Sequence, residues 1–413
     1  MHPARLTRLR APLAIVLAAA LFLLSPCHPV SAGLLEDASS NPAFAGSVQQ
    51  EFPAPPSPSP GAKKRNHRSP LSAAARWTTD LSGLASGAPA SDEAHLFVPL
   101  QSGEVVAVAL STGAIAWRVK LQAVGGAAAG GGLVFVPTAT SVQALDAATG
   151  AARWSAAIES PLSAPLALEN GWLLAGTEKG TALMLRASSG ERIWDRPLPG
   201  KVHGTAAMTG DRLYLPLESR HLLAVTLATG ETIWEQRLNG RPTTLAPLDD
   251  RLFVGADDKF FYCLSWKTGK VEWRWRTGGP IVGTPAIDDD HVYFLSLDNV
   301  LRALDRENGT QAWYASIPFR PFAGPALNAR LLIVSGLGEI RAFQVTDGAD
   351  AGSVEVPEVL AAPPHFLSPG VALVSPFVVI TREGQARLLV PEPPPLPSKP
   401  FPGKEIVLSV AVE

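Results

Sequence analysis

The sequence is short of cysteine. Only Cys27 and Cys263 occur in 413 residues, so no disulfide framework holds the fold and no Cys-x-x-Cys spacing offers a zinc or redox centre. Charge is scarce too: 17% of residues are Asp, Glu, Lys or Arg, and the formal net charge is −2. That balance supplies no long-range pull toward nucleic acid or an anionic membrane. No Ser-His-Asp order, metal-spaced His pair or phosphate-cradling Gly loop stands out. Long helix-forming runs are missing after the N-terminal segment. Turn chemistry is what the chain has in quantity, with 36 Gly and 38 Pro against 46% hydrophobic residues. Such a composition points to an all-β fold with many turns.

The N-terminus reads as an export signal. Arg5, Arg8 and Arg10 form a basic n-region, and an apolar stretch over 11–24 follows. It is too short for a membrane span, and Val30-Ser31-Ala32 fits the small-x-small pattern for cleavage after Ala32. A second reading makes Cys27 a lipidated N-terminus, since Leu24-Ser25-Pro26-Cys27 loosely resembles a lipobox, with Pro26 a poor fit. Residues 33–73 form a linker rich in proline (Pro53, Pro55, Pro56, Pro58, Pro60), with a basic cluster at Lys63, Lys64, Arg65 and Arg68. Proline cannot donate to a sheet and the stretch has little to bury, so it reads as a solvated tether.

From Arg76 onward the chain repeats. A turn ending in Gly is followed four residues later by Trp, as Gly113 with Trp117, Gly150 with Trp154, Gly190 with Trp194, Gly230 with Trp234, Gly269 with Trp273 and Gly309 with Trp313. The tryptophans recur about every 40 residues, the period of propeller blades. Within one repeat, Leu252-Phe253-Val254, Phe260 to Leu264 and Val271 to Trp275 are three β-rich runs joined by turns at Asp257-Asp258 and Thr268-Gly269. A fourth run precedes them, as in Gly204-Thr205-Ala206 and Gly283-Thr284-Pro285-Ala286.

The middle hairpin occurs eight times, starting near Leu96, Leu133, Trp172, Leu213, Leu252, Val292, Leu331 and Phe377. The Trp run follows only six of them. The seventh has Gly352 where Trp belongs, and the eighth runs into Pro391-Glu392-Pro393. An orphaned Trp run, Arg76-Trp77-Thr78-Thr79-Asp80-Leu81, stands before the first hairpin. The expectation is a single eight-bladed β-propeller of four-stranded blades over 74–392, closed by the strand around Trp77.

The run Val142-Gln143-Ala144-Leu145-Asp146-Ala147-Ala148-Thr149-Gly150 before Trp154, and Val300-Leu301-Arg302-Ala303-Leu304-Asp305 before Asn308-Gly309 and Trp313, resemble the pyrroloquinoline-quinone-like (PQQ-like) propeller repeat. The resemblance implies that Trp77, Trp117, Trp154, Trp194, Trp234, Trp273 and Trp313 are structural and pack between blades. Two branches of that family bear on function. Quinoprotein dehydrogenases hold the quinone and calcium in a central funnel; BamB-like proteins are single eight-bladed propellers that assist outer-membrane protein assembly. The even repeat spacing leaves no room for the insertions of the first branch, its vicinal cysteine pair is missing, and the loops at 198–203, 239–244, 277–280 and 317–321 lack the acids calcium would need. Size, blade count and export match the second branch. Its interaction-surface residues have no counterpart here.

The resulting expectation is a non-catalytic periplasmic or outer-membrane-associated scaffold for an envelope protein partner. It is a monomer without cofactor or nucleic acid, touching membrane only through a lipid on Cys27. The alternative is a propeller, quinoprotein-like or degenerate, that binds PQQ with calcium or another small ligand. Aligning blades places Lys201, Arg241 and Arg320 at one slot before the first strand, with His203 and His365 near it and Ser160 and Pro280 interrupting. This pattern offers a cationic channel mouth for an acidic loop or small anion. Cys263 reads as a small buried hydrophobe, Asp288-Asp289-Asp290 as a hairpin tip, and Asn308-Gly309-Thr310 as a turn of the repeat. Residues 393–413 form a Pro-rich tail ending in an alternating, strand-like run at 404–412.

Overall fold

The computed structural model describes residues 73–328, 330–356, 359–367 and 376–391. The N-terminal segment read as an export signal, with Cys27, the stretch read as a linker up to residue 72, and the tail at 392–413 lie outside the described residues. Among the described residues every element is a strand, and the strands form eight sheets of four. Each sheet is an antiparallel meander and one blade of a propeller.

The fifth blade shows why the sequence folds this way. Its strands are Pro242–Leu248, Arg251–Ala256, Phe260–Ser265 and Val271–Arg276, from the channel outward. The second and third are buried along nearly their whole length. Both faces of these strands meet a neighbouring blade, so their apolar runs are continuous and do not alternate. The outermost strand alternates because one side faces solvent.

Each junction between blades is filled by one apolar cluster. Phe253, Phe261 and Cys263 of the fifth blade meet Val292, Phe294 and Leu304 of the sixth, and the Phe261 and Phe294 rings stack at 4.1 Å. The last junction is filled in the same way: Trp77, Val378, Ile380 and Leu388 of the eighth blade meet Leu96, Val98 and Val106 of the first. Strand Ala73–Asp80 completes the eighth blade by pairing antiparallel with Gln385–Pro391, Trp77 opposite Leu388. The expected closure at Trp77 is therefore the observed one.

Each blade tryptophan reaches forward into the next blade. Trp77, Trp117, Trp154, Trp194, Trp234 and Trp313 donate their indole N–H to Leu110, Ala147, Ala187, Leu227, Trp266 and Val345 carbonyls at 2.8–3.0 Å. Trp273 packs alike, with its ring against Gly309, but its buried N–H finds no partner among the described residues. Cys263 sits opposite Trp273, at the register where Ala107, Ala144, Ala224 and Ala303 face their own tryptophans. It is fully buried, and burial pushes its thiol up to about 12.

Two details differ from the sequence reading. The innermost strand of the fourth blade is Ala207–Thr209, later than the expected 204–206. Gly204 has φ +86° and lies against the Thr243 carbonyl of the next blade, which takes it out of the ladder. The innermost strand of the sixth blade does include Gly283 but carries a bulge between Val282 and Ala286. At 288–290, Asp288 caps the hairpin tip by accepting from the Asp290 and His291 backbone N–H groups and from the Tyr293 hydroxyl. Asn308 accepts from the Thr310 N–H inside the repeat turn.

Candidate functional site

The loop leading into each innermost strand lies at the same end of the blade as the turn between the second and third strands. The fifth blade shows it: Pro242 at the start of the first strand pairs with Ala256 at the end of the second. Backbone hydrogen bonds join loop to turn and define one equivalent slot per blade. The slot carbonyls of Leu84, Pro161, Lys201, Arg241, Pro280 and Val359 accept from the N–H of Gln101, Glu178, Glu218, Asp257, Leu297 and Arg382 at 2.8–3.1 Å. This register puts Pro161, not Ser160, at the slot of the third blade; an ungapped reading of a variable loop slipped by one residue.

Lys201 and Arg241 do share a slot, and acids hold both. Lys201 Nζ lies 2.9 Å from Glu178 and 3.6 Å from Glu218. Arg241 Nε lies 2.7 Å from Asp257, and its Nη1 lies 4.0 Å from Glu218. The hydrogen bond that Lys201 donates to Glu178 raises the Lys201 pKa above its ordinary value. The result is a belt of alternating sign, Glu178, Lys201, Glu218, Arg241, Asp257, across three blades. Its three acids outnumber its two cations, so it does not form an open cationic mouth. His203 belongs to this group: burial first, then the Arg241 charge, lowers its pKa.

Arg320 holds the slot of the seventh blade, since Phe322 N–H donates to the Ser335 carbonyl as His203 N–H does to Pro216, but it stands apart from the belt, and His365 lies off the slot. Arg320 is exposed in the loop before the seventh blade and has no acidic partner among the described residues. His365 is on the innermost strand of the eighth blade, and its Nε2 shares a hydrogen bond with Ser91 Oγ of the first blade at 2.5 Å. Burial lowers its pKa to about 4, so it is neutral at pH 7. The slot is thus shared by Lys201, Arg241 and Arg320 as expected, but only Lys201, His203 and Arg241 form one cluster, and Arg320 and His365 stand apart from it.

The acids of the belt were missed in the sequence because they sit in second-to-third-strand turns, not in the slot loops. The signal was available: Glu178, Glu218 and Asp257 open equivalent turns in successive repeats. Glu159 accepts a hydrogen bond from Thr181. In the sixth blade, burial works to raise the Asp298 pKa, but Arg302, Ser296 and the Gly278 N–H outweigh it and hold the carboxyl below its ordinary value. Among the described residues no three His, Cys, Asp or Glu side chains converge on a point. Calcium takes six to eight oxygens, and on this face Glu178, Glu218 and Asp257 are engaged with Lys201 and Arg241, and Asp298 with Arg302, Ser296 and the Gly278 N–H. The described residues assemble no such set of carboxylates.

The chain belongs to the PQQ-like repeat family whose model is described as outer membrane protein assembly factor BamB; the model matches residues 69–157, 138–248 and 218–359. Among solved structures it is similar to BamB from Moraxella catarrhalis, at 17% identity and a TM-score of 0.62, covering 77% of this chain and 99% of that one. It is also similar to quinohemoprotein alcohol dehydrogenase from Comamonas testosteroni, at 13% identity and a TM-score of 0.62, covering 77% of this chain and 76% of that one. These likenesses show the fold. A curated relative, tetrathionate hydrolase from Acidithiobacillus ferrooxidans, is 28% identical over 137 residues, which is 26% of this chain and 28% of that protein. The match thus takes in little more than a quarter of that relative's length.

Proposed function

We propose that this protein is a non-catalytic scaffold of the cell envelope that holds a protein partner on the loop face of its propeller, in the assembly of outer-membrane proteins. The observation that carries this reading is the family match, which runs through successive blades from residue 69 to 359 under the description of an outer-membrane assembly factor. Three further features support it: the export-type N-terminus with Arg5, Arg8 and Arg10, described blades without inserted domains, and the slot cations Lys201 and Arg241 engaged with neighbouring acids. The protein then acts as a monomer in the periplasm or at the outer membrane, with no cofactor. Removing the gene tests this: the abundance of folded outer-membrane proteins should fall, and unchanged abundance would overturn the reading.

The match to tetrathionate hydrolase and the quinohemoprotein neighbour favour a second reading, a ligand-binding propeller. Thermal unfolding of the purified protein with and without pyrroloquinoline quinone plus calcium, and with tetrathionate, tests it. A ligand that binds only the folded state raises the melting temperature in proportion to its occupancy. No shift and no turnover would remove this alternative.

A further inference from the structure

The slot face is divided into two unlike halves. Over the third to sixth blades its turns are charged: Glu178-Lys179, Glu218-Ser219-Arg220, Asp257-Asp258-Lys259 and Asp298. Over the seventh, eighth, first and second blades the same turns are Gly336-Leu337-Gly338, Arg382-Glu383, Gln101-Ser102 and Ala139-Thr140. Here aliphatic side chains stand in water at the slots Leu84 and Val359, in the turn at Leu337, and at Val124, two residues past its slot. Leu337 is 48% exposed, Leu84 45%, Val359 39% and Val124 38%. The other large hydrophobics exposed to this degree, Ile115, Ile233, Val271 and Tyr314, are single residues on or beside outermost strands. Backbone hydrogen bonds trace the four as one arc: Leu360 N–H to Leu337, Arg382 N–H to Val359, Leu81 N–H to Gly384, Gln101 N–H to Leu84, and Val124 N–H to Pro137.

The geometry points to this apolar arc, not the charged belt, as the partner surface, and to an extended protein segment with apolar side chains and a carboxylate as its occupant. This rests on the scaffold reading above. Scattered exposed aliphatics are ordinary, but exposed aliphatics gathered on one face of successive blades mark an interaction site. A strip one residue wide that curves across four blades suits an extended chain. Charge complementarity fixes the carboxylate. Arg320, in the loop beside Leu337, and Arg382, beside Val359, are exposed and have no acidic partner among the described residues, whereas both belt cations are paired. A guanidinium offers a carboxylate a two-pronged hydrogen bond. A lipid surface is disfavoured, because the arc shows no Trp or Tyr and no Lys cluster among the described residues.

Site-specific photocrosslinking in cells making the full chain tests the inference. Crosslinkers go at Leu84 and Val359 on the arc, and at Lys179 and Glu218 on the belt. The expected result is one discrete protein captured from the arc positions only, through a peptide with alternating apolar residues and an Asp or Glu. A synthetic copy of that peptide should lose at least tenfold in affinity on Arg320→Glu or on Leu84→Ser with Val359→Ser, and reversing its carboxylate to Lys should recover binding to Arg320→Glu. All these positions are exposed, and an unchanged unfolding midpoint confirms that each variant is folded. Capture from the belt alone overturns the arc and leaves the scaffold reading standing. Capture of no protein from either half overturns both. Co-sedimentation with phosphatidylethanolamine–phosphatidylglycerol vesicles that Leu84→Ser with Val359→Ser abolishes, or capture of a second copy of this chain, also overturns it.

Discussion

Trp313 lies against Gly348 of the following blade, and its indole N–H donates to the Val345 carbonyl of the same turn at 2.9 Å. Gly348 has φ +66°, and a Cβ there would stand 2.5 Å from the indole ring. The turn needs glycine for two reasons at once: a left-handed backbone and room for the neighbour's ring. The Gly-to-Trp spacing of the sequence is thus a contact between blades. Gly348→Ala should cost at least about 1 kcal/mol from the backbone alone. Trp313→Ala should cost about 3 kcal/mol, and Trp313→Phe about 1 kcal/mol for the lost hydrogen bond. Denaturant unfolding with an unchanged slope is the measurement.

The same relationship accounts for Gly352. It occupies the Trp register of the seventh blade, opposite Ala342. The eighth blade has no turn between its third and outermost strands, because those strands are the two ends of the propeller chain, Pro391 and Ala73. A tryptophan at 352 would have no turn glycine to cover and no turn carbonyl to meet. Gly352→Trp should therefore leave the melting temperature unchanged or lower it; a rise of several degrees would contradict this account.

Deleting residues up to Asp80 removes the outermost strand of the eighth blade and bares the edge of Gln385–Pro391. An open edge offers itself to other chains. The truncated protein should melt lower and form oligomers on gel filtration, while deletion up to residue 72 should leave a monomer with the full melting temperature.

His365 makes stability depend on pH. It is held neutral, with its pKa lowered to about 4 by burial, while the unfolded histidine titrates near 6.5. As pH falls through 6.5 the unfolded chain takes up the proton first, so stability drops from there to about pH 4 and levels below it. His203 acts in the same direction. The stability difference between the wild type and His365→Gln should shrink across this window; a difference constant from pH 7 to 4 would show that the ring is not kept neutral.

Cys263 should be inert. Its thiol is fully buried and pushed up to about 12, so a thiol reagent should react only as the protein unfolds. Cys263→Ala should cost less than about 1 kcal/mol, since alanine already fills this register in most other blades.

The blades were legible because each needs one Trp and one turn glycine at fixed spacing, and Trp77 was legible because it repeats that element out of phase. Slot chemistry was less so. Lys201 and Arg241 read as free cations because their partners, Glu178, Glu218 and Asp257, stand on different turns that only the ring brings alongside. The apolar arc was invisible for a related reason: Leu84, Val124, Leu337 and Val359 look like core residues in a chain so rich in aliphatics. Only their exposure sets them apart.

The strand at Ala73–Asp80 also sets an order of events. It is the first strand of the propeller to be synthesised and the last to find its neighbour, since Gln385–Pro391 comes at the far end of the fold. Earlier blades can form as the chain emerges, each on the one before. The ring must wait for the final residues before it locks, and bringing these ends together carries the loop-closure cost of the whole propeller. Until then the chain is an open spiral with an unpaired strand at each end, and that interval is when it is most exposed to chaperones and proteases.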